Sequence, residues 1–169
     1  MPDTFTKIAS VSVGLLGAAT IDFTSIPSTY TDLCLKISAR GSTTIALSGH
    51  FYGITLNNTS ANRTQRFLQG DGSSASSGSS SSFTSYMDPS DYTSNTFANN
   101  EIYIPNYAGS ANKSMSLDVV TENNATTSFT AFYAQLWSDS AAINRITLTA
   151  NAGTFVQYST ATLYGIKNS

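Results

Sequence analysis

A chain of 169 residues in which only 11% are charged, with a formal net charge of -2 and no basic block, is unsuited to binding nucleic acid by phosphate neutralisation. One cysteine, Cys34, forbids an intrachain disulfide, and one histidine, His50, forbids multi-histidine metal centres. The length suits a single domain with one sizeable core, and no stretch approaches the roughly 20 apolar residues of a membrane-spanning helix.

From the N-terminus, the segment MPDTFTKIASVSVGLLGAAT carries an acidic residue where a secretory leader is basic, so synthesis in the cytoplasm without export is expected. Period-two alternation then predicts half-buried strands. The first is KIASVSV with Ile8, Val11 and Val13, the second ATIDFTSI with Ile21 and Phe23, the third TDLCLKISAR with Leu33, Leu35 and Ile37 on one face. On that third strand Cys34 reads as a small buried hydrophobe. HFYGITLN, RTQRFLQG, SSFTSYM and NEIYIPN follow, and then KSMSLDVVTEN, SFTAFYAQLWS, INRITLTA and TATLYGIKN, which makes eleven strands. No long window has helical periodicity. Clusters of Asn, Gly and Ser at 57–62, 106–113, 122–128 and 151–154 supply turns, because Asn and Gly tolerate positive φ. Pro27 and Pro105 read as strand terminators. Short strands at this spacing predict an all-β fold, an antiparallel β-sandwich of jelly-roll type in one domain.

Near the middle, residues 70–82 read GDGSSASSGSSSS and contain nothing that can fill a core. Strands of the same kind flank the run on both sides, so it is expected to be a long mobile loop within one domain, at little cost in closure entropy; the other reading is an interdomain linker, since each half has strands enough for a small sheet.

Catalytic chemistry finds few candidates. His50 with any of the many serines lacks a G-x-S-x-G elbow, and reads as a strand-edge histidine. Asp118 and Glu122, four apart on a predicted strand, are the carboxylate pair for a glycoside hydrolase. Asp88 and Asp91 bracket the turn DPSD and are an incomplete calcium set. The glycines of GDGSSASSG lack the Lys-Ser/Thr ending and following helix of a phosphate loop. No catalytic residue, cofactor site or metal site is therefore assigned, and the chain reads as a non-enzyme. Tyr86, Tyr92, Tyr103 and Tyr107, in YMDPSDY and IYIPNY, are aromatic platforms on which a sugar could stack.

Several phrases together resemble one group of proteins: IASVSVGLLGAATIDFTSIPSTYTDLCLKISAR (8–40), NNEIYIPNYAGSANKSMSLDVVTENN (99–124), AQLWSDSAAINRITL (134–148) and STATLYGIK (159–167). They are similar to small virion structural proteins of tailed bacteriophages, especially those of marine and cyanobacterial hosts, over most of the chain outside its loops. The resemblance implies a β-sandwich or jelly-roll module on the particle, commonly a homotrimer, decorating the capsid or forming part of the tail. IASVSVG stands almost at the initiator Met, whereas a fibre protein is expected to carry a longer attachment segment. That favours a decoration or cement protein on the capsid exterior, with the major capsid protein as partner and Pro2 to Lys7 as the docking arm. The other reading is a tail-associated adhesin that binds host surface glycan through the tyrosine patches.

Overall fold

The computed structural model describes residues 4–47, 50–124 and 128–167. Among them twelve strands form: β1 (Phe5–Ser12), β2 (Thr20–Phe23), β3 (Asp32–Ala39), β4 (Phe51–Leu56), β5 (Arg63–Gly70) and β6 (Ala75–Ser80), then β7 (Thr84–Tyr86), β8 (Ala98–Ile104), β9 (Lys113–Val120), β10 (Thr130–Trp137), β11 (Ile146–Ala150) and β12 (Thr160–Ile166). All the strand pairings are antiparallel. One sheet has the order β1-β12-β3-β8-β9-β10-β5-β6 and the other β2-β11-β4-β7.

These orders define a jelly roll with two additions. Strands β1, β12, β3 and β8 form one sheet of the eight-stranded frame, β2, β11, β4 and β7 the other, and along the frame the chain crosses between them at β1/β2, β2/β3, β3/β4, β7/β8, β8/β11 and β11/β12. Two hairpins interrupt this frame, β5–β6 between β4 and β7 and β9–β10 between β8 and β11. They pair with each other through β10 and β5, and so extend the first sheet beyond β8 by a four-stranded wing. Strands from both halves of the chain interleave in both sheets, so the serine run does not separate two modules.

Alternation places the core. On β9 Met115, Leu117 and Val119 point inward and Ser114, Ser116 and Asp118 outward. Leu33, Leu35, Ile37, Leu163 and Ile102 of the first sheet share one cluster with Ile21, Ile54, Leu56, Ile146 and Leu148 of the second. Under the wing the cover comes from β7 and its flanks: Tyr86 stacks on Phe129 with centroids 4.8 Å apart, and Arg63 lies over the Phe83 ring at 5.5 Å. Gln65 ties these layers, accepting from Thr84 N at 3.1 Å and from Gln135 Nε2 at 2.7 Å.

β1 departs from simple alternation. Ile8 and Val11 are three apart, and the register shift between Lys7 and Ala9 absorbs the extra residue as a bulge at Ile8. The turn clusters behave as their composition predicts: Asn57, Asn58, Asn62, Asn106, Asn124 and Gly153 all have positive φ. Cys34 is buried, and its burial pushes the thiol up to about 11.

The serine run is a correction. Within 70–82 the chain makes a hairpin, not a loop: β6 pairs with β5 from Gln65↔Ser80 to Gly70↔Ala75. Asp71 closes it, accepting from Ser73 N at 2.9 Å and Ser74 N at 2.7 Å, with the ladder bond Asp71 N to Ser74 O at 3.2 Å. Gly78 is the residue that permits it, since a Cβ there would lie 2.6 Å from Cζ of Phe67. The Phe67 ring supplies over Gly78 the apolar cover that β6 itself lacks.

Candidate docking surfaces

The chemistry anticipated from the sequence is dispersed. His50 packs its ring against Phe51 and Tyr86, with centroids at 3.9 and 5.8 Å, and burial lowers its pKa. No hydrogen bond joins that ring to a hydroxyl or carboxylate among the described residues. Asp118 lies on the outer face of β9, whereas Glu122 lies past the strand's end and binds its own turn through Asn124 N and Ser128 Oγ. Asp88 is fully buried and Asp91 exposed, where it accepts from Ile45 N at 3.0 Å, so the two do not converge. No group of three or more His, Cys, Asp or Glu side chains able to hold a metal occurs among the described residues.

Asp88 belongs to a structural device. Burial raises its carboxyl pKa, opposed by the Thr96 hydroxyl and the charge of Arg40. Arg40 in turn spends its guanidinium on the segment 90–96, donating to the carbonyls of Ser90, Tyr92, Thr93 and Thr96 at 2.9–3.1 Å. Bonds of a charged fork to carbonyls hold this irregular segment on the sandwich.

Three of the four tyrosines read as sugar platforms are core residues: Tyr86, Tyr92 and Tyr107 are buried, and only Tyr103 is partly open, with its hydroxyl donating to Asp32 at 2.7 Å. Strand aromatics at inward positions are claimed by the sandwich interior, where their apolar area contributes most. The expected docking arm is also occupied. Phe5 to Lys7 lie in β1, paired with Tyr164 to Ile166, while Pro2 lies outside the described residues.

What the surface offers instead are two apolar patches. The first is a tip at one end of the sandwich, where Leu15 and Leu16 are 80% and 96% exposed and Tyr158 is 69% exposed. The turn Gly14–Gly17 closes through Gly17 N to Gly14 O at 3.0 Å. It is tied to the opposite segment by Val13 N to Ser159 O at 2.8 Å and Tyr158 N to Val13 O at 3.1 Å. Gly17, at φ 72°, has no room for a side chain: a Cβ would lie 2.8 Å from Thr154 Oγ1 and 2.9 Å from the Phe155 carbonyl. Tyr158 has φ 71°, a left-handed conformation that costs a bulky residue about 1–3 kcal/mol. Leu15, Leu16 and Tyr158 are thus held out from one hydrogen-bonded backbone scaffold, which scattered single apolar residues do not need.

The second patch is the outer face of the wing. Phe132 (61% exposed) and Leu68 (56%) lie side by side on β10 and β5, in one row with Asp118. Around Phe132, with Arg66, Ser116, Asp118 and Ala134, runs a shallow depression of about 520 Å³.

A doubled leucine between two glycines, and apolar residues on both phases of FTAFYAQLW, are the sequence signals for these patches. Turn tips and outward strand positions are normally polar. No protein-family model matches the chain, and neither the curated proteins nor the solved structures searched contain a match. The class defined is therefore structural: a jelly-roll domain widened by a two-hairpin wing.

Proposed function

We propose that this chain is a virion structural protein of a tailed bacteriophage, a non-enzymatic decoration protein that cements the head by docking on the major capsid protein. The observation that carries this reading is the tip, with Leu15 and Leu16 80% and 96% exposed on a glycine-bounded turn beside Tyr158. Fully burying one such side chain in a partner contributes about 1.5–3 kcal/mol. Several copies on one shell add their contacts, and binding that favours the assembled shell stabilises it by mass action. The strand phrases that resemble phage virion proteins supply the identity of the shell.

The test is co-sedimentation with phage heads stripped of the protein, comparing the wild type with the double substitution Leu15→Ser, Leu16→Ser. The wild type pellets with the heads and raises the temperature at which they rupture, while the variant stays in the supernatant with an unchanged circular dichroism spectrum. Equal pelleting of both proteins removes the tip as the docking element. Failure of the wild type to bind heads sinks the decoration reading.

A further inference from the structure

The outer face of the wing is a separate surface, and its charges are arranged for a second copy of this chain. Along one row of the sheet Lys36, Glu101, Asp118, Phe132 and Leu68 stand on adjacent strands β3, β8, β9, β10 and β5. Lys36 pairs with Glu101 at 2.5 Å, which leaves Asp118 directly beside a second carboxylate. Like charges opposed across strands are destabilising, and partial desolvation, then Glu101, holds the Asp118 carboxyl above its ordinary value. Asp118 forms no ion pair among the described residues. Two residues from Leu68 on β5, Arg66 has no carboxylate partner there either, and its one hydrogen bond goes to the adjacent Gln65 carbonyl at 3.2 Å. An unmatched anion and an unmatched cation thus flank an exposed phenylalanine and leucine, about two strand spacings apart, or roughly 10 Å.

We infer that this chain self-associates face to face through the wing about a twofold axis, with Arg66 of each copy opposite Asp118 of the other. The register supports this geometry. Ala134 pairs with Arg66 and Ser116, and Phe132 with Leu68 and Asp118, so the midpoint between Arg66 and Asp118 falls on β10 between Phe132 and Ala134. A twofold axis lying in the interface above that point sets each Phe132 against Leu68 of the other copy. Each surface then meets its twin, as an isologous contact requires, with desolvated apolar contacts at the centre and matched charges around them. The product is a pair of copies, where the resemblance to virion proteins leads one to expect three.

Sedimentation of the full chain across a concentration series, at low and at 0.5 M salt, tests this. A dimer is expected, weakened by salt because exposed charges are screened. Arg66→Asp and Asp118→Arg each oppose like charges and are expected to raise the dimer dissociation constant at least about tenfold. The double variant restores opposite charges and regains the wild-type value within about threefold. Phe132→Ser yields monomer with an unchanged circular dichroism spectrum. A wild type that stays monomeric to millimolar concentration, a trimer, or a dimer indifferent to both single reversals overturns the inference. So does loss of head or glycan binding on Phe132→Ser in a chain that never dimerises, which would give the face to that ligand. The tip is untouched in every variant, so failure here leaves the reading of Leu15 and Leu16 standing or falling on its own test.

Discussion

Single residues in this protein carry costs that make sense only against their surroundings. Tyr158 sits at φ 71° and exposes most of its ring, so its backbone conformation is strained and its side chain gains little from folding. Tyr158→Gly is therefore expected to stabilise the isolated protein by about 1 kcal/mol, because glycine adopts this conformation without steric cost. The same change weakens binding to phage heads by removing apolar area from the tip. Urea unfolding and head co-sedimentation measured together check it. A loss of stability would mean that the tyrosine ring holds its loop in place and is not strained for recognition. Cys34 and the asparagines of the turns were legible without coordinates, since burial of an alternating strand residue and positive φ are local properties. Burial of Tyr86, Tyr92 and Tyr107 was not. A strand tyrosine reads the same whether its ring meets solvent or a second sheet.

At the level of elements, all eleven strands expected from alternation form, and the twelfth appears where composition argued against it. β6 contains only Ala, Ser and Gly and has no preference for strand conformation. What makes it a strand is its neighbour: the β5 ladder takes up its backbone groups and the Phe67 ring lies across Gly78. Gly78→Val is thus expected to cost about 1–3 kcal/mol through overpacking against that ring. It should release the β6 amides first, seen as hydrogen exchange of 75–80 rising well above that of β5. Uniform exchange across the hairpin, with stability unchanged, would show that Phe67 is not what holds β6. The predicted strand reaching from Asp118 to Glu122 failed for the converse reason. The ladder of β9 ends at Val120, and Glu122 is engaged by its own turn.

For the whole molecule, the twelve strands close one interior in which β1 pairs with β12 and β3 with both β12 and β8. Such long-range pairing predicts slow folding, on the order of milliseconds to seconds. Trp137 is buried on β10 in the wing and shares the cluster that fills the jelly-roll frame. Its fluorescence and the far-ultraviolet dichroism of all strands are accordingly expected to follow one urea transition. A fluorescence change at lower urea than the dichroism would show the wing unfolding as a unit of its own.

The sequence alone determined fold class, strand positions and most turns, because periodicity, branching at Cβ and tolerance of positive φ are written residue by residue. Only the tertiary structure decided which strands neighbour one another, that two hairpins join into a wing, and that β6 exists at all. It also decided which aromatic and apolar residues remain outside. Alternation separates the two faces of a strand, but it does not say which sheet or solvent each face meets. That depends on pairings between residues more than a hundred positions apart, such as Ser10 with Thr162, which no local pattern encodes.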